Sequence, residues 1–426
     1  MHGGTLASAL CRAGHDVVLQ PLYTPVRTDG ENLSRPRIAF GGLNVFLQQK
    51  FAVFRKTPRG VDRLLDNALL LRWLSRWSGR TNATDLGALT VSMLRGPSGR
   101  QAKELEKLLD QLAAEPPPDI VHLSNALLTG LAGPIRRRLG VPVVVSLTGE
   151  DGFLQSLPSP YKEEACRELI RCAADVDSFV SLTDYFARHM SDTFRIPRER
   201  IHVIPPGIHL SGYPAEPKAP RFRAAEADHD EFRVGYFSRV CRDKGLHVLI
   251  DAVERIVSED PARRIRLDAA GYLAPEDHGY LREINRRCQG SRLAGRFHYV
   301  GSPDRRGKIA FLRAADVICL PSVLPESKGL IALEAWAAGT PVVAPRQGAF
   351  PELAEETGAG TLYTPGNASD LAEALRALIS EPCLVAEMGR RGWQALREHY
   401  DDMLMARRTI ELYRGVLRKS RRREPS

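Results

Sequence analysis

The chain has 426 residues, a formal net charge of +9, 43% hydrophobic and 7% aromatic residues, and seven cysteines. This length favours two domains of about 200 residues over a single core, and the composition is ordinary for a soluble globular protein. It contains neither a run of 18 apolar residues nor a basic-then-apolar start. We therefore expect a cytoplasmic protein without a spanning helix or leader.

Cysteine spacing and charge narrow the range of partners. The cysteines are scattered, and the one close pair, Cys166 and Cys172, fits neither a zinc nor a redox motif, so reduced thiols and no metal are expected. A basic balance suits nucleic acid, anionic lipid or anionic substrates, but no nucleic-acid-binding motif is present. The basic segment 418–423 is either a solvated tail or a contact with an anionic membrane, peripheral at its inner face.

Apolar patterning predicts alternating helices and strands along the first half. Residues 3–14 predict a helix that ends at Gly14, and residues 15–19 predict a strand. Between residues 65 and 77, Leu and Trp recur every four residues, which favours a helical hairpin packed on its own domain over a membrane or acceptor surface. A further helix near 105–112 and strands at 119–123, 141–147 and 177–182 follow.

The second half repeats this alternation after a polar segment. Residues 213–231, rich in Ala, Pro, Glu and Lys, predict a linker between a first domain, 1–212, and a second, 232–398. Strands are predicted at 232–238, 265–271 and 297–301, and helices from Leu246 and at 308–314, 369–380, 383–398 and 402–419. The prediction is an α/β protein with two doubly wound, Rossmann-like domains facing a cleft.

One stretch of the second domain predicts an anion site. Residues 316–320 are an apolar run typical of a buried parallel strand, and a polar loop follows. A helix is predicted from about Gly329 to Ala338, ending at Gly339, and then a strand at 341–344. Unsatisfied N–H groups and the helix dipole favour negative charge above the start of this helix.

Two glutamates flank that helix start. Glu334 lies five residues past Gly329, roughly 7.5 Å along the axis, and Glu326 lies in the preceding loop. A diphosphate above the helix would place its sugar near Glu326 and its ribose near Glu334, since carboxylates accept hydrogen bonds from hydroxyl pairs. The alternative is one solvated carboxylate and one stabilised by the helix dipole.

This stretch resembles the donor-binding motif of family 4 glycosyltransferases, which are retaining enzymes of the two-domain GT-B type. The motif has two Glu separated by seven residues, with Gly-Leu between them and Glu-Ala-x-Ala-x-Gly-x-Pro-Val-Val after them, as found here from Glu326 to Val343. Lys328 replaces the usual aromatic residue, and its ammonium could reach phosphate. The donor-binding residues that the resemblance implies in this stretch are Lys328, Gly329, Leu330, Ile331 and Glu334.

The resemblance also implies donor contacts elsewhere. Arg239 and Lys244, followed by Gly245, resemble the family's phosphate clamp, although a surface loop is the alternative. Gly3 and Gly4 resemble the glycine turn whose backbone approaches the donor's reacting centre. In the family a central strand precedes that turn and is missing here. We expect a truncated or misassigned N-terminus, or another segment in its place.

A second departure from the family lies at residues 148–151. Relatives often carry His-Gly-x-Asp here, and Thr148 occupies the His position. Glu150 or Asp151 is then expected to orient the acceptor, the alternative for Asp151 being a helix N-cap. The segment 399–426 is expected to cross back to the first domain, as in the GT-B fold.

The resemblance implies transfer of a sugar, with retention, from a nucleotide diphosphate donor to a hydroxyl of an unknown glycan, lipid or small molecule. Glu326, Arg239 and Lys244 are the expected catalytic residues, and neither metal nor cofactor is required. Three rivals remain: a metal-dependent GT-A enzyme using Asp175 and Asp177, a nucleotide-sugar epimerase on the same scaffold, and a non-catalytic sugar-binding or scaffold protein.

Overall fold

The computed structural model describes residues 2–22, 39–40, 48–49, 83–114, 116–218 and 231–422. The predicted helical hairpin at 65–77 lies outside these residues. The chain divides into two compact units, which we call the first unit (residues 1–205 and 405–426) and the second unit (residues 206–404). No helix in the described ranges combines the length and apolar character needed to cross a bilayer.

Within its described residues, the first unit has a parallel four-stranded sheet in the order β1-β2-β3-β4. The strands are β1 (Val121–Leu123), β2 (Val143–Leu147), β3 (Ser178–Ser181) and β4 (Ile201–Val203). The helices are α1 (His2–Arg12), α2 (Ala83–Leu94), α3 (Ala102–Ala113), α4 (Ala132–Leu139), α5 (Glu150–Ser156), α6 (Tyr161–Cys172) and α7 (Asp184–Phe194).

Continuous apolar runs explain the centre of this sheet. Every residue of β2 and β3 is buried, as expected for parallel strands covered on both faces. Helices α2, α3, α6 and α7 contribute apolar faces to the same core. The predictions near 105–112, 141–147 and 177–182 are thereby confirmed.

The N-terminal segment differs from its prediction in two ways. The sequence predicts a strand at residues 15–19, but residues 15–18 form none, and Val18 is 52% exposed. Gly3 and Gly4 lie inside the first turn of α1 instead of in a turn before it. The helix already begins at His2, and its buried face consists of Leu6, Ala7, Ala9 and Leu10.

The second unit has a parallel six-stranded sheet in the order β10-β9-β8-β5-β6-β7. The strands are β5 (Phe232–Phe237), β6 (Ile265–Ala270), β7 (Phe297–Tyr299), β8 (Val317–Cys319), β9 (Val342–Pro345) and β10 (Gly360–Tyr363). The helices are α8 (Leu246–Glu259), α9 (His278–Gln289), α10 (Arg305–Ala314), α11 (Leu330–Ala337), α12 (Phe350–Thr357), α13 (Ala368–Ser380) and α14 (Pro382–His399).

The unit boundaries differ from the predicted limits at 212 and 398. Residues 206–212 belong to the second unit because Ile208 N donates to Tyr400 O at 2.8 Å and pairs with Asp401 in a parallel bridge. The last helix, α15 (Asp402–Arg421), begins beside this bridge, and the chain enters the first unit within its first turn. Segment 399–404 is therefore part of the second unit.

The strand order positions the candidate site. β8 and β6 lie on either side of β5, and all three strands run parallel. The loops after β5 and β8 therefore emerge at the same carboxyl edge of the sheet, where ligands bind in doubly wound folds. Lys244 follows β5, and Glu326 follows β8.

Candidate active site

An open cavity lies at the carboxyl edge of the second unit's sheet, above the start of α11. Its volume is about 140 Å³. Six of the residues expected from sequence to form the site line it: Lys244, Glu326, Lys328, Gly329, Leu330 and Ile331. Ser238, Leu320, Pro321, Ser322 and Phe350 complete the lining. Two lysines and one glutamate give the cavity a mixed but predominantly cationic wall.

The loop after β5 is pressed against the loop after β8. Lys244 ends a single 3₁₀ turn, Arg242–Lys244, and Gly245 follows with a φ of 71°. A Cβ at Gly245 would overlap the carbonyl oxygen of Pro321, so only glycine permits this approach. The close contact brings the Lys244 side chain beside the Glu326 loop.

Glu326 receives two hydrogen bonds within the cavity. Its Oε1 accepts from the Lys244 ammonium and from Ser322 Oγ, the latter at 2.8 Å. The Lys244 and Glu326 side chains are 28% and 27% exposed, so a ligand can reach both. Ala349 N also donates to the Glu326 carbonyl at 2.8 Å, which fixes the backbone of this loop.

The start of α11 faces the same cavity. Gly329 occupies the N-cap position in the left-handed region, and Leu330 is the first helical residue. The N–H groups of a helix's first turn have no acceptor within the helix, so those at Leu330 and Ile331 are available to an anion. Apart from Glu334, the rest of α11 is apolar and buried. Trp336 Nε1 donates to Ala359 O at 3.0 Å, which fixes the helix on the sheet.

Glu334 has a different environment from Glu326. It lies in the second turn of α11, is only 3% exposed, and accepts a hydrogen bond of 2.6 Å from Lys308 Nζ of α10. Glu334 is not among the described residues that line the cavity. Lys308, buried beside it, is a partner that sequence reasoning missed, because no local spacing links positions 26 residues apart.

Arg239 also lies outside the cavity lining among the described residues. It follows β5, is exposed to solvent, and its Nε donates to Cys241 Sγ at 3.3 Å. The predicted pair of cations is therefore represented in the cavity by Lys244, with Lys328 as the second ammonium.

In the first unit, Glu150 has a structural role. It is 4% exposed, and its carboxylate accepts hydrogen bonds from Ala126 N at 3.0 Å and from both Thr148 N and Thr148 Oγ1 at 2.8 Å. Gly149, not Asp151, is the N-cap of α5. These contacts join the ends of β1 and β2, and they occupy both Glu150 and Thr148.

Asp151 is more accessible and has a histidine partner. Its Oδ2 lies 3.0 Å from His189 Nε2, and the two side chains are 28% and 35% exposed. The Tyr185 ring stacks on His189 with 6.2 Å between centroids. This half-exposed group follows β2 and β3 at the carboxyl edge of the first sheet. Of the two acceptor-side carboxylates, Asp151 is the one that solvent reaches.

A half-buried histidine also lies in the first unit. His122 Nε2 is 2.9 Å from Ser146 Oγ, and His122 Nδ1 is 2.6 Å from the Tyr413 hydroxyl on α15. Burial lowers the pKa of His122 to about 4 and raises the pKa of Tyr413. The imidazole is therefore neutral at pH 7 and links the C-terminal helix to β1 and β2.

The two aspartates proposed for a GT-A metal site lie just before β3. Asp177 Oδ2 accepts from Val143 N at 2.8 Å, and Asp175 ends a 3₁₀ turn. Across the described ranges, no group of three His, Cys, Asp or Glu side chains is placed to hold a metal ion.

Sequence comparisons divide the chain at nearly the same point as the structure. The sequence model described as "Glycosyl transferase 4-like domain" matches residues 4–207, and that described as "Glycosyl transferases group 1" matches residues 218–394. The chain is 30% identical over 303 residues to a D-inositol 3-phosphate glycosyltransferase of Nocardiopsis dassonvillei, covering 69% of each protein. It is 26% identical to a glycogen synthase of Mycobacterium tuberculosis, covering 72% of this chain and 71% of that one.

Solved structures show the same two-domain architecture. Anabaena HepE in complex with UDP superimposes with a TM-score of 0.63 at 20% identity, covering 75% of this chain and 84% of that one. Sucrose-phosphate synthase from Thermosynechococcus elongatus gives a TM-score of 0.61 at 22% identity, covering 76% and 82%. The predicted fold class, two parallel-sheet α/β domains of the GT-B type, is confirmed.

Proposed function

Because this chain belongs to the GT-B glycosyltransferases of family 4, we propose that it transfers a sugar, with retention, from a nucleoside diphosphate sugar to an acceptor hydroxyl. The observation that carries the proposal is the cavity in which Lys244, Lys328 and the start of α11 surround Glu326. Cations and N–H donors at one end, with a carboxylate beside them, suit a diphosphate joined to a polyhydroxylated ring.

In this proposal the diphosphate lies above α11. Lys244 and Lys328 donate charge-assisted hydrogen bonds to it, and the N–H groups at Leu330 and Ile331 add the helix-terminus contribution. Arg239, an exposed residue five positions before Lys244, supplies a further cation once the donor is bound. Preorganised donors of this kind stabilise charge that develops on a leaving group. The reaction then needs no metal, so chelator should leave the rate unchanged.

Two carboxylates hold hydroxyl groups. Glu326 exchanges its contact with Lys244 for hydroxyls of the transferred sugar, which releases the ammonium to the diphosphate. Glu334 accepts from the ribose hydroxyls, with Lys308 fixing the orientation of its carboxylate. Gly3 and Gly4, in the first turn of α1, are the proposed backbone contact with the donor's reacting end.

The chemical step breaks the bond between the anomeric carbon and the diphosphate oxygen and forms one to the acceptor oxygen on the same face. The acceptor's proton passes to the departing diphosphate oxygen, so charge and atoms balance without an added cofactor. The acceptor is an alcohol, and the inositol phosphate named for several relatives suggests a polyol. Asp151, with Thr148 and Glu150 behind it, is the proposed acceptor-side contact.

A thermal-shift screen of the full chain against UDP-, GDP- and ADP-sugars tests the proposal. A true donor at 100 times its Kd adds about 2.7 kcal/mol of stability and raises the unfolding midpoint. Product analysis with D-inositol 3-phosphate, and without an acceptor, separates the alternatives. An epimerised nucleotide sugar in the acceptor-free reaction would favour an epimerase, and binding with neither hydrolysis nor transfer would favour a non-catalytic protein.

We also propose peripheral contact with an anionic membrane through α15. Arg407, Arg414 and Arg418 are exposed and recur at helical spacing along one side of that helix, and Arg421 and Arg422 continue it. Each basic residue near an anionic surface adds about 1 kcal/mol of attraction. Co-sedimentation with phosphatidylglycerol vesicles but not phosphatidylcholine vesicles, lost at high salt, is the expected result.

A further inference from the structure

An exposed aromatic ring lies beside the candidate site. Tyr272 follows β6 directly after Gly271, and its exposed fraction of 59% is the largest among the exposed large hydrophobic side chains of the described chain. Val300, which follows the neighbouring strand β7, is 51% exposed. Two apolar side chains are thus presented to solvent at the same carboxyl edge as Lys244 and Glu326.

The backbone that carries Tyr272 is fixed on three sides. Tyr272 O accepts from Val240 N at 2.9 Å, and Gly271 N donates to Gly301 O at 2.8 Å. The Tyr299 hydroxyl donates to Gly271 O at 2.8 Å. Gly271 itself has a φ of 135°, and a Cβ there would overlap the Ser238 carbonyl oxygen. A tightly bonded turn therefore holds a ring that has little protein contact of its own.

The position of this ring matches one end of a nucleotide. The loops carrying Glu326 and Tyr272 follow β8 and β6, which flank β5, so they lie about two strand spacings, or about 10 Å, apart along the edge. Lys244 and Lys328 lie at one end of this stretch of the edge, and the exposed Tyr272 and Val300 lie at the other. A nucleoside diphosphate has the same polarity, with its charge at one end and a flat aromatic base at the other.

We propose that Tyr272 is the platform on which the donor's nucleobase stacks, with Val300 beside it. This inference rests on the proposed function, because it takes the diphosphate to lie above α11. Since every base has a π face, the ring contributes affinity whichever base the donor carries. Tyr272 is thus a binding residue that neither the motif nor the cavity lining indicates.

Calorimetric titration of the full chain with UDP, GDP and ADP tests this assignment. Tyr272→Ala should weaken binding of the preferred nucleotide about 5- to 100-fold, the range expected for loss of one base–aromatic stack. Tyr272→Phe, which keeps the ring, should bind within about twofold of the original chain. Leu384→Ala removes an exposed apolar side chain from the start of α14 and should change nothing.

The outcomes separate this inference from the proposed function. If the original chain binds a nucleotide and Tyr272→Ala binds it equally well, the stacking platform is wrong and the donor site stands. Equal losses in Tyr272→Phe and Tyr272→Ala would also overturn it, because they would point to the hydroxyl and not the ring. If none of the three nucleotides binds the original chain, both the proposed function and this inference fail.

Discussion

Lys308 Nζ lies 2.6 Å from Glu334 Oε1, and the two side chains are only 9% and 3% exposed. This ion pair joins α10 to α11 behind the cavity. Removing one member of a buried pair typically costs about 3–5 kcal/mol, whereas replacing both by apolar residues of similar size is far less damaging. The pair therefore links the stability of the second unit to the ribose side of the proposed site.

We expect Lys308→Met to lower the free energy of unfolding by about 3 kcal/mol and Lys308→Met/Glu334→Met to recover most of that loss. Urea unfolding measures both. The matched control is Arg376→Met, which removes an exposed pair of the same 2.6 Å length with Glu259 and should cost less than about 1 kcal/mol. A double variant no more stable than Lys308→Met would contradict this account.

We expect substitutions of Lys244 and Glu326 to impair different steps: Lys244 should matter for UDP binding and Glu326 for sugar transfer. Lys244→Met should weaken UDP binding about 10- to 100-fold, because a charge-assisted hydrogen bond to the diphosphate is lost. Glu326→Gln should leave UDP affinity within about threefold, since UDP lacks the transferred sugar, yet lower sugar transfer by at least about 100-fold. Calorimetry measures the UDP affinity, and product formation measures sugar transfer. The charge-matched control is Arg390→Met, which removes an exposed cation on α14.

His122 predicts a stability change in mild acid. Its pKa is lowered to about 4 by burial, whereas an unfolded histidine titrates near 6.5, so the unfolded state binds the proton first. The contribution of the neutral imidazole is complete above pH 6.5 and is lost as the pH falls from 6.5 towards 4. At pH 5 the loss is about 2 kcal/mol.

His122→Gln isolates this contribution. The difference in unfolding free energy between the original chain and His122→Gln should shrink by about 2 kcal/mol between pH 7.5 and pH 5. His202 and His247, whose pKa values burial also lowers, are present in both proteins and cancel from the comparison. A difference that is constant with pH would show that the fold leaves the pKa of His122 at its unfolded value.

We expect substitution of Glu150 to lower stability and substitution of the neighbouring Asp151 to affect acceptor binding. Glu150→Gln places an amide where Ala126 N and Thr148 now donate, so we expect a loss of about 2 kcal/mol in stability. Asp151→Asn should change stability by less than about 1 kcal/mol, because its contact with His189 is half-exposed. The expected effect of Asp151→Asn is a raised KM for D-inositol 3-phosphate with unchanged UDP affinity. Equal KM values would remove Asp151 from the acceptor side.

Continuous apolar runs made much of the fold predictable. β2 and β8 are short apolar segments buried on both faces of a parallel sheet, and their burial is visible in the sequence. The segment at residues 15–19 also ends in three consecutive apolar residues, yet Val18 is exposed there. Burial is a tertiary property, so composition alone could not separate these cases.

The candidate site was predictable where its residues are close in sequence. Glu326, Lys328 and Gly329 share one loop and helix start, and the structure brings Lys244 to them through the backbone contact at Pro321. Long-range partners could not be found in this way. Lys308 meets Glu334 from another helix, and Ala126 N reaches Glu150 across 24 residues, so the buried roles of both glutamates required the three-dimensional structure.

Among the residues that the structure describes, those lining the cavity lie between Ser238 and Phe350, inside the second unit, which the chain enters at residue 206 and leaves after residue 404. Those two positions are suitable junctions for chimeric enzymes. Exchanging residues 206–404 with the matching part of a relative would transfer all the described lining residues in one block, and the hybrid is expected to take its nucleotide preference from the insert.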